Sequence, residues 1–194
     1  HVRPEVDAAL KFVEAAGPVL VEIGFDHGYR LFNMAKLNPD WRFLGLEVRE
    51  RRVDDLRSKT NAEGLSNLLV WRMDARAVLH CVLKPRSVNV LDILYPTPWW
   101  DPRKRRKRLL IDPAFLHAAA EVLRPDGVLR IETDVEGYGR HIAASIHESD
   151  CFDVLPNASS DACLPMCDAL SRRQVKSQRE RLNVYQFLCQ PAQR

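Results

Sequence analysis

No apolar segment of this chain approaches the roughly 18–20 residues that a membrane-crossing helix needs, and the opening HVRPEVDAALKFVEAAG has no signal-peptide core. A cytoplasmic protein without a membrane partner is therefore expected. A disulfide framework is also excluded, because Cys81, Cys151, Cys163, Cys167 and Cys189 are odd in number and scattered, which suits reduced thiols. Cys163 and Cys167 make one C-x3-C pair, but a zinc site needs two more ligands at similar spacing and none is obvious, so no metal is expected. Internal repeats are absent. The first residue is His1 rather than methionine, so a native N-terminal extension is expected to precede it.

What is present suits one globular domain over residues 1–194, with 46% hydrophobic and 28% charged residues. The basicity is local. Net charge is +3, yet without the run Arg103 to Arg108 the remainder holds 23 basic against 26 acidic residues. Concentrated positive charge points to a site for a polyanion rather than to general solubility.

Short apolar runs at 19–23 (VLVEI), 42–48 (RFLGLEV), 67–75 (NLLVWRMDA), 87–94 (SVNVLDIL) and 127–133 (GVLRIET) alternate with helix-like segments. That alternation predicts a mostly parallel sheet with helices on both faces. One helix opens at IDPAF, where Asp112 can cap and Pro113 takes the first helical position, and it stops at RPDG. Two further strands, at 151–156 and 183–189, predict a sheet that ends in an antiparallel pair. In such folds ligands bind beyond the carboxyl ends of the strands, where strand order reverses.

Polar residues stand at those ends. VEIGFDHGYR sets Glu22, Gly24 and Gly28 across the first strand–helix turn, and glycine there lets a ligand approach the backbone. The pattern is G-x3-G, not the G-x-G-x-x-G of a pyrophosphate loop, and Asp26 would repel a phosphate. A cationic, phosphate-free nucleoside cofactor fits better, and S-adenosylmethionine is one. Glu47, ending the second strand, can accept from ribose hydroxyls, or can serve the start of the next helix. Asp74 can accept from an exocyclic amine while Ala75 leaves room for a flat ring. Farther on, YPTPWWDPRKRRKRLL (95–110) places Trp99 and Trp100, which can lie against a base, beside Arg103, Arg105 and Arg106 for phosphates. The late segment SRRQVKSQRER (171–181) either closes over bound RNA or is a charged loop.

Through VEIGFDHG, NPDWRFLGLEV, GLSNLLVWRMDA, YPTPWWDPRKRRKRLL and LRPDGVLRIETDVEGY, the chain resembles the tRNA (guanine-N7)-methyltransferase family over about Leu20 to Ile142. The resemblance implies a Rossmann-like class I methyltransferase: α/β, with a mostly parallel seven-stranded sheet, helices on both faces and an antiparallel C-terminal strand. It implies that Glu22, Glu47 and Asp74 hold S-adenosylmethionine, that Asp134 of ETD touches the guanine, and that Glu180 of SQRER matches a late substrate motif. The family has Pro-Asp-Pro-Trp where this chain has Pro96-Thr97-Pro98-Trp99, so Thr97 takes the place of its catalytic aspartate, and Asp101 replaces a lysine. The expected activity is methyl transfer to guanine N7 of tRNA, by a monomer or homodimer. The altered motifs also leave room for a small nitrogen heterocycle as acceptor, or for an RNA-binding homologue with little turnover.

Overall fold

Side chains of the first strand, β1 (Val19–Ile23), alternate between two cores. Val19, Val21 and Ile23 face one apolar cluster and Leu20 faces the other, as the two-residue period of a strand dictates. A strand that must bury both faces needs a helical layer on each. The computed structural model describes residues 4–97, 109–155, 164, 165 and 167–193, and supplies both layers. On one side lie α1 (Pro4–Glu14), α4 (Ala75–Cys81), α5 (Pro113–Val122) and α6 (Glu136–Ser149), which send Val13, Val78, Phe115 and Ile142 into the first cluster. On the other lie α2 (Tyr29–Leu37) and α3 (Glu50–Ala62), which pack Leu31, Phe32, Met34, Val53 and Leu56 on Leu20, Phe43 and Val90.

The remaining strands are β2 (Arg42–Glu47), β3 (Leu68–Arg72), β4 (Val88–Leu94), β5 (Leu123–Thr133), β6 (Phe152–Val154) and β7 (Tyr185–Pro191), with a short helix α7 (Arg172–Arg179) before the last. They form one seven-stranded sheet of order β3-β2-β1-β4-β5-β7-β6. The first five are parallel, and β7 runs antiparallel to both β5 and β6. Order reverses between β1 and β4, so the crevice opens beyond Ile23 and Leu94.

The expected helix start is present: Asp112 accepts a bond from the Phe115 amide at 2.8 Å, and Pro113 begins α5. Several strand boundaries differ, the start of β5 most of all. The sequence pattern starts the next strand at Gly127, whereas β5 begins at Leu123. Leu123 already pairs with Val88, and a shift of register before Val90 accommodates Arg124 to Gly127. Gly127 belongs there because a Cβ would lie 2.9 Å from the Arg124 carbonyl oxygen.

The crevice floor carries a feature no apolar run announces. Glu22 and Asp92 are register partners across β1 and β4, and Asp92 and Arg130 across β4 and β5. Arg30 of α2 enters between the two acids, with Nη1 3.1 Å from Glu22 Oε2 and Nη2 2.9 Å from Asp92 Oδ2. Arg130 grips Asp92 with both Nε (2.9 Å) and Nη2 (2.5 Å). Two acids and two guanidiniums thus neutralise one another where water is excluded. Burial works against ionisation of Asp92, but the Arg130 and Arg30 charges outweigh it and hold the carboxyl below its usual range. Burial dominates at Glu22, which is pushed upward despite Arg30.

Two outcomes check this account. Asp92→Asn leaves two buried guanidiniums short of a counter-charge and should lower unfolding free energy by about 3–5 kcal/mol, as read by urea denaturation at pH 7. Because the folded pKa is depressed, this stability is complete above the unfolded value near 4 and is lost as pH falls through the folded value, so the wild-type advantage should shrink in acid. Gly28, at φ 68°, meets Leu56 Cδ2 at 2.3 Å if given a Cβ, so Gly28→Ala should cost about 1–3 kcal/mol; a loss below about 0.5 kcal/mol would mean that α2 and α3 do not depend on that spacing.

Candidate functional site

A cleft of about 790 Å³ lies at the carboxyl ends of the strands. It gathers Glu22, Gly24, Gly28, Glu47, Asp74, Ala75, Thr97 and Asp134, all singled out from sequence, from five different strand ends. Glu180 is not part of that lining: it caps the far end of α7, 3.9 Å from Lys176 and 3.7 Å from Arg179. Trp99, Trp100, Arg103, Arg105 and Arg106 fall outside the described residues, as does Cys163, while Cys167 is exposed. The flanks of that basic run are placed, however. Thr97 and Leu110 both line the cleft. Arg76 pins the second flank by donating to the Leu109 and Leu110 carbonyls (3.0 and 2.7 Å) and to Asp112 (2.8 Å).

The first turn explains its two glycines differently. Gly24 has φ 75° and nothing within 4 Å of where a Cβ would stand, so it borders open space. Gly28 serves helix packing, as above. Between them Asp26, also left-handed at φ 53°, pairs with Arg49 at 3.1 Å and Arg52 at 3.5 Å rather than facing the cleft alone.

The three strand-tip acids are differently engaged. Glu22 belongs to the buried charge cluster. Glu47 accepts from the Val48 and Arg49 amides at 2.9 and 3.0 Å, and its second oxygen takes Arg49 Nη2 at 3.0 Å. It thus does locally what a carboxylate at a helix start can do, and remains on the cleft wall. Asp74 caps α4, with Oδ1 accepting from Arg76 N (2.9 Å) and Ala77 N (3.4 Å). Both bonds fall on one oxygen, so among the described residues the other carboxylate oxygen has no hydrogen-bond partner.

The opposite wall is built by β5 and α7. Ser171 and Gln174 form a reciprocal capping box, which fixes the start of a helix otherwise rich in like charge. Arg173 then donates to Asp134 Oδ2 at 2.6 Å and Ser177 to the same oxygen at 2.7 Å. Burial opposes ionisation of Asp134, but the bonds from Arg173 and Ser177 prevail and hold it below the usual carboxylate range. Next to it, buried Glu132 accepts from Gln174 at 3.0 Å and Gln186 at 3.4 Å and is also met by the Tyr95 phenol. Tyr95 occupies a left-handed conformation, φ 51°, with its amide on the Glu132 carbonyl at 2.7 Å. Such backbone strain in a bulky residue persists only where neighbours enforce it. Burial and then the Glu132 charge push the Tyr95 phenol up to about 12.

Arg30, Asp92, Arg49, Tyr95 and Ser177 were not singled out from sequence, and Arg173 was visible there only as one cation of the late basic segment. Ser177 had a signal, since it lies in the same SQRER stretch as Glu180. Arg30 had none, being one cation in an amphipathic helix.

A family model described as "Putative methyltransferase" matches residues 16–187. The tRNA (guanine-N(7)-)-methyltransferase of Chromohalobacter salexigens is 33% identical over 165 residues, which is 85% of this chain and 67% of that protein. Those of Klebsiella pneumoniae and Salmonella typhimurium are 36% and 34% identical, covering 70% and 79% of this chain but 58% and 64% of their own lengths. The chain thus spans about three fifths to two thirds of these curated relatives. Among solved structures, the 16S rRNA methyltransferase KamB superposes with a TM-score of 0.62 at 20% identity, over 95% of this chain and 92% of that one. A SAM-dependent methyltransferase from Aquifex aeolicus gives 0.60 at 12% identity, over 97% and 90%. These likenesses establish the Rossmann-like class I methyltransferase fold, and the sequence relatives add the family: this chain belongs to the tRNA (guanine-N7)-methyltransferases.

Proposed function

We propose that the protein transfers the methyl group of S-adenosylmethionine to N7 of a guanine in tRNA. The observation that carries this reading is the meeting, in one cleft, of the strand-tip acids Glu22, Glu47 and Asp74 with Thr97 and Asp134 on the opposite wall. The donor side fits its ligand: the space at Gly24 admits close approach, Asp74 keeps an oxygen for an exocyclic amine, Ala75 is small, and Glu47 stands where ribose hydroxyls would meet it. When bound, that donor supplies an electrophilic methyl carbon; the N7 lone pair forms the N–C bond as the C–S pair leaves with sulfur, giving a thioether and a cationic base. No proton leaves N7, so the chain needs no obligatory general base there.

What the residues must do is position the ring in line and compensate its new charge. Asp134, ionised at neutral pH because Arg173 and Ser177 favour its anion, provides the carboxylate on that wall. Thr97 can orient a base edge but brings no charge. The described flanks of the basic run end at the cleft, which favours an RNA acceptor over a small heterocycle. A tRNA substrate also implies a cytoplasmic site of action.

Thr97→Asp should raise guanine-N7 methylation of tRNA by roughly tenfold, about 1.4 kcal/mol of barrier, in a labelled-methyl transfer assay; an unchanged rate would remove Thr97 from the acceptor side. Arg173→Gln removes the cation that keeps the Asp134 carboxyl low, so its pKa rises and the acid limb of the pH–rate profile should move to higher pH. A limb that stays in place would show that the rate does not depend on Asp134 being ionised.

A further inference from the structure

Tyr29 is the only exposed ring of Phe, Tyr or Trp among the described residues, half accessible at the first position of α2. One side of it stacks on His27, with ring centroids 5.8 Å apart and an interplanar angle of 20°. Lys59 of α3 brings its ammonium 5.5 Å from the Tyr29 centroid and 3.9 Å from that of Phe32. Arg52 of α3 and Arg172 of α7 both reach the His27 ring. Burial, together with the charges of Arg52, Arg172 and Arg49, holds His27 below its ordinary value in spite of Asp26, so the imidazole adds no charge of its own at neutral pH.

Charge does not balance here. Asp26 is shared by Arg49 and Arg52, and Glu63, the acid that Lys59 approaches, is held by Lys36 at 2.9 Å. Neither Lys59 nor Arg172 lies within ion-pair distance of an acid among the described residues. Three elements thus converge to hold cations outside direct ion pairs around a stacked, half-open ring pair, and His27, Tyr29 and Arg172 also line the cleft. Cations so placed favour a polyanion, and an open aromatic face favours an unstacked base. A protein partner would need apolar surface that this patch lacks.

We propose that the His27–Tyr29 surface is a second RNA contact, on which a single-stranded nucleotide near the acceptor guanine stacks while Lys59 and Arg172 meet its flanking phosphates. The proposal rests on the tRNA reading above. It is tested by measuring affinity of the full chain for an unmodified tRNA transcript over a salt series. Tyr29→Ala should weaken binding roughly tenfold with no change in salt slope, and Tyr29→Phe should restore it. Lys59→Gln and Arg172→Gln should each weaken binding and reduce the slope of log K against log salt by about one, a change that a merely structural contact would not produce. Wild-type chain that binds tRNA while all four variants keep its affinity and slope would overturn the surface alone. Slope losses without any Tyr29→Ala effect would overturn the stacking site in favour of a diffuse basic face. Wild-type chain with no affinity for tRNA would overturn the reading on which the surface depends.

Discussion

The crevice between β1 and β4 exists because strand order reverses there, and that reversal sets Glu22 directly beside Asp92. Two adjacent carboxylates in a water-poor floor repel each other, and neither has solvent to spread its charge. The structure resolves this with Arg30 from one helix and Arg130 from the neighbouring strand, so that the four groups sum to zero. The end of the cleft proposed for the donor inherits the result. Glu22 is aimed by a buried guanidinium rather than free to turn, and its negative charge is already shared when a ligand arrives. A cationic ligand therefore gains less from Glu22 than an unpaired carboxylate would offer. It gains more from shape: the open space at Gly24 and the spare oxygen of Asp74.

A second constraint, α7, ties the cleft's far wall to its near one. Consecutive arginines diverge from the start of this helix, Arg172 toward His27 on the donor-side turn and Arg173 toward Asp134 at the tip of β5. Eight residues mostly polar or basic would not hold a helix alone; the capping box and the contacts with Asp134 and Glu132 hold it. The two walls of the cleft, donor and acceptor sides on the proposed reading, are thereby joined through one short element, so displacement of α7 would be felt at both.

Much of this was legible in the sequence, for identifiable reasons. VLVEI reads as a strand of the right bounds because its burial on both faces leaves a continuous apolar run, and Asp112-Pro113 reads as a helix start because both residues suit that position for local reasons. Strand-tip acids were visible because they interrupt or end such runs. The charge cluster was not visible: Asp92 inside VNVLDIL and Arg30 inside α2 look like isolated exceptions until strand register, some 70 residues apart in sequence, sets them together. The late basic segment was equally ambiguous, since a solvated loop and a docked helix share its composition. Only its bonds to Asp134 decide between them.

The exchange of aspartate for Thr97 gains its meaning from the same wall. On the proposed reading, a neutral residue at that point means that the compensation of a cationic methylated base must come from acids already held by the fold. Asp134 is present but lends one oxygen to both Arg173 and Ser177, so an approaching cation meets a carboxylate whose charge is partly spent. Glu132 stands behind it with the Gln174 and Gln186 amides and the Tyr95 phenol as partners, neutral donors that fix its orientation. The local field at the acceptor wall is thus set as much by the choice of glutamine over lysine or arginine at positions 174 and 186 as by the aspartate itself. On the proposed reading, a cation at either position would pair with Glu132 and weaken the attraction of this wall for a positively charged product.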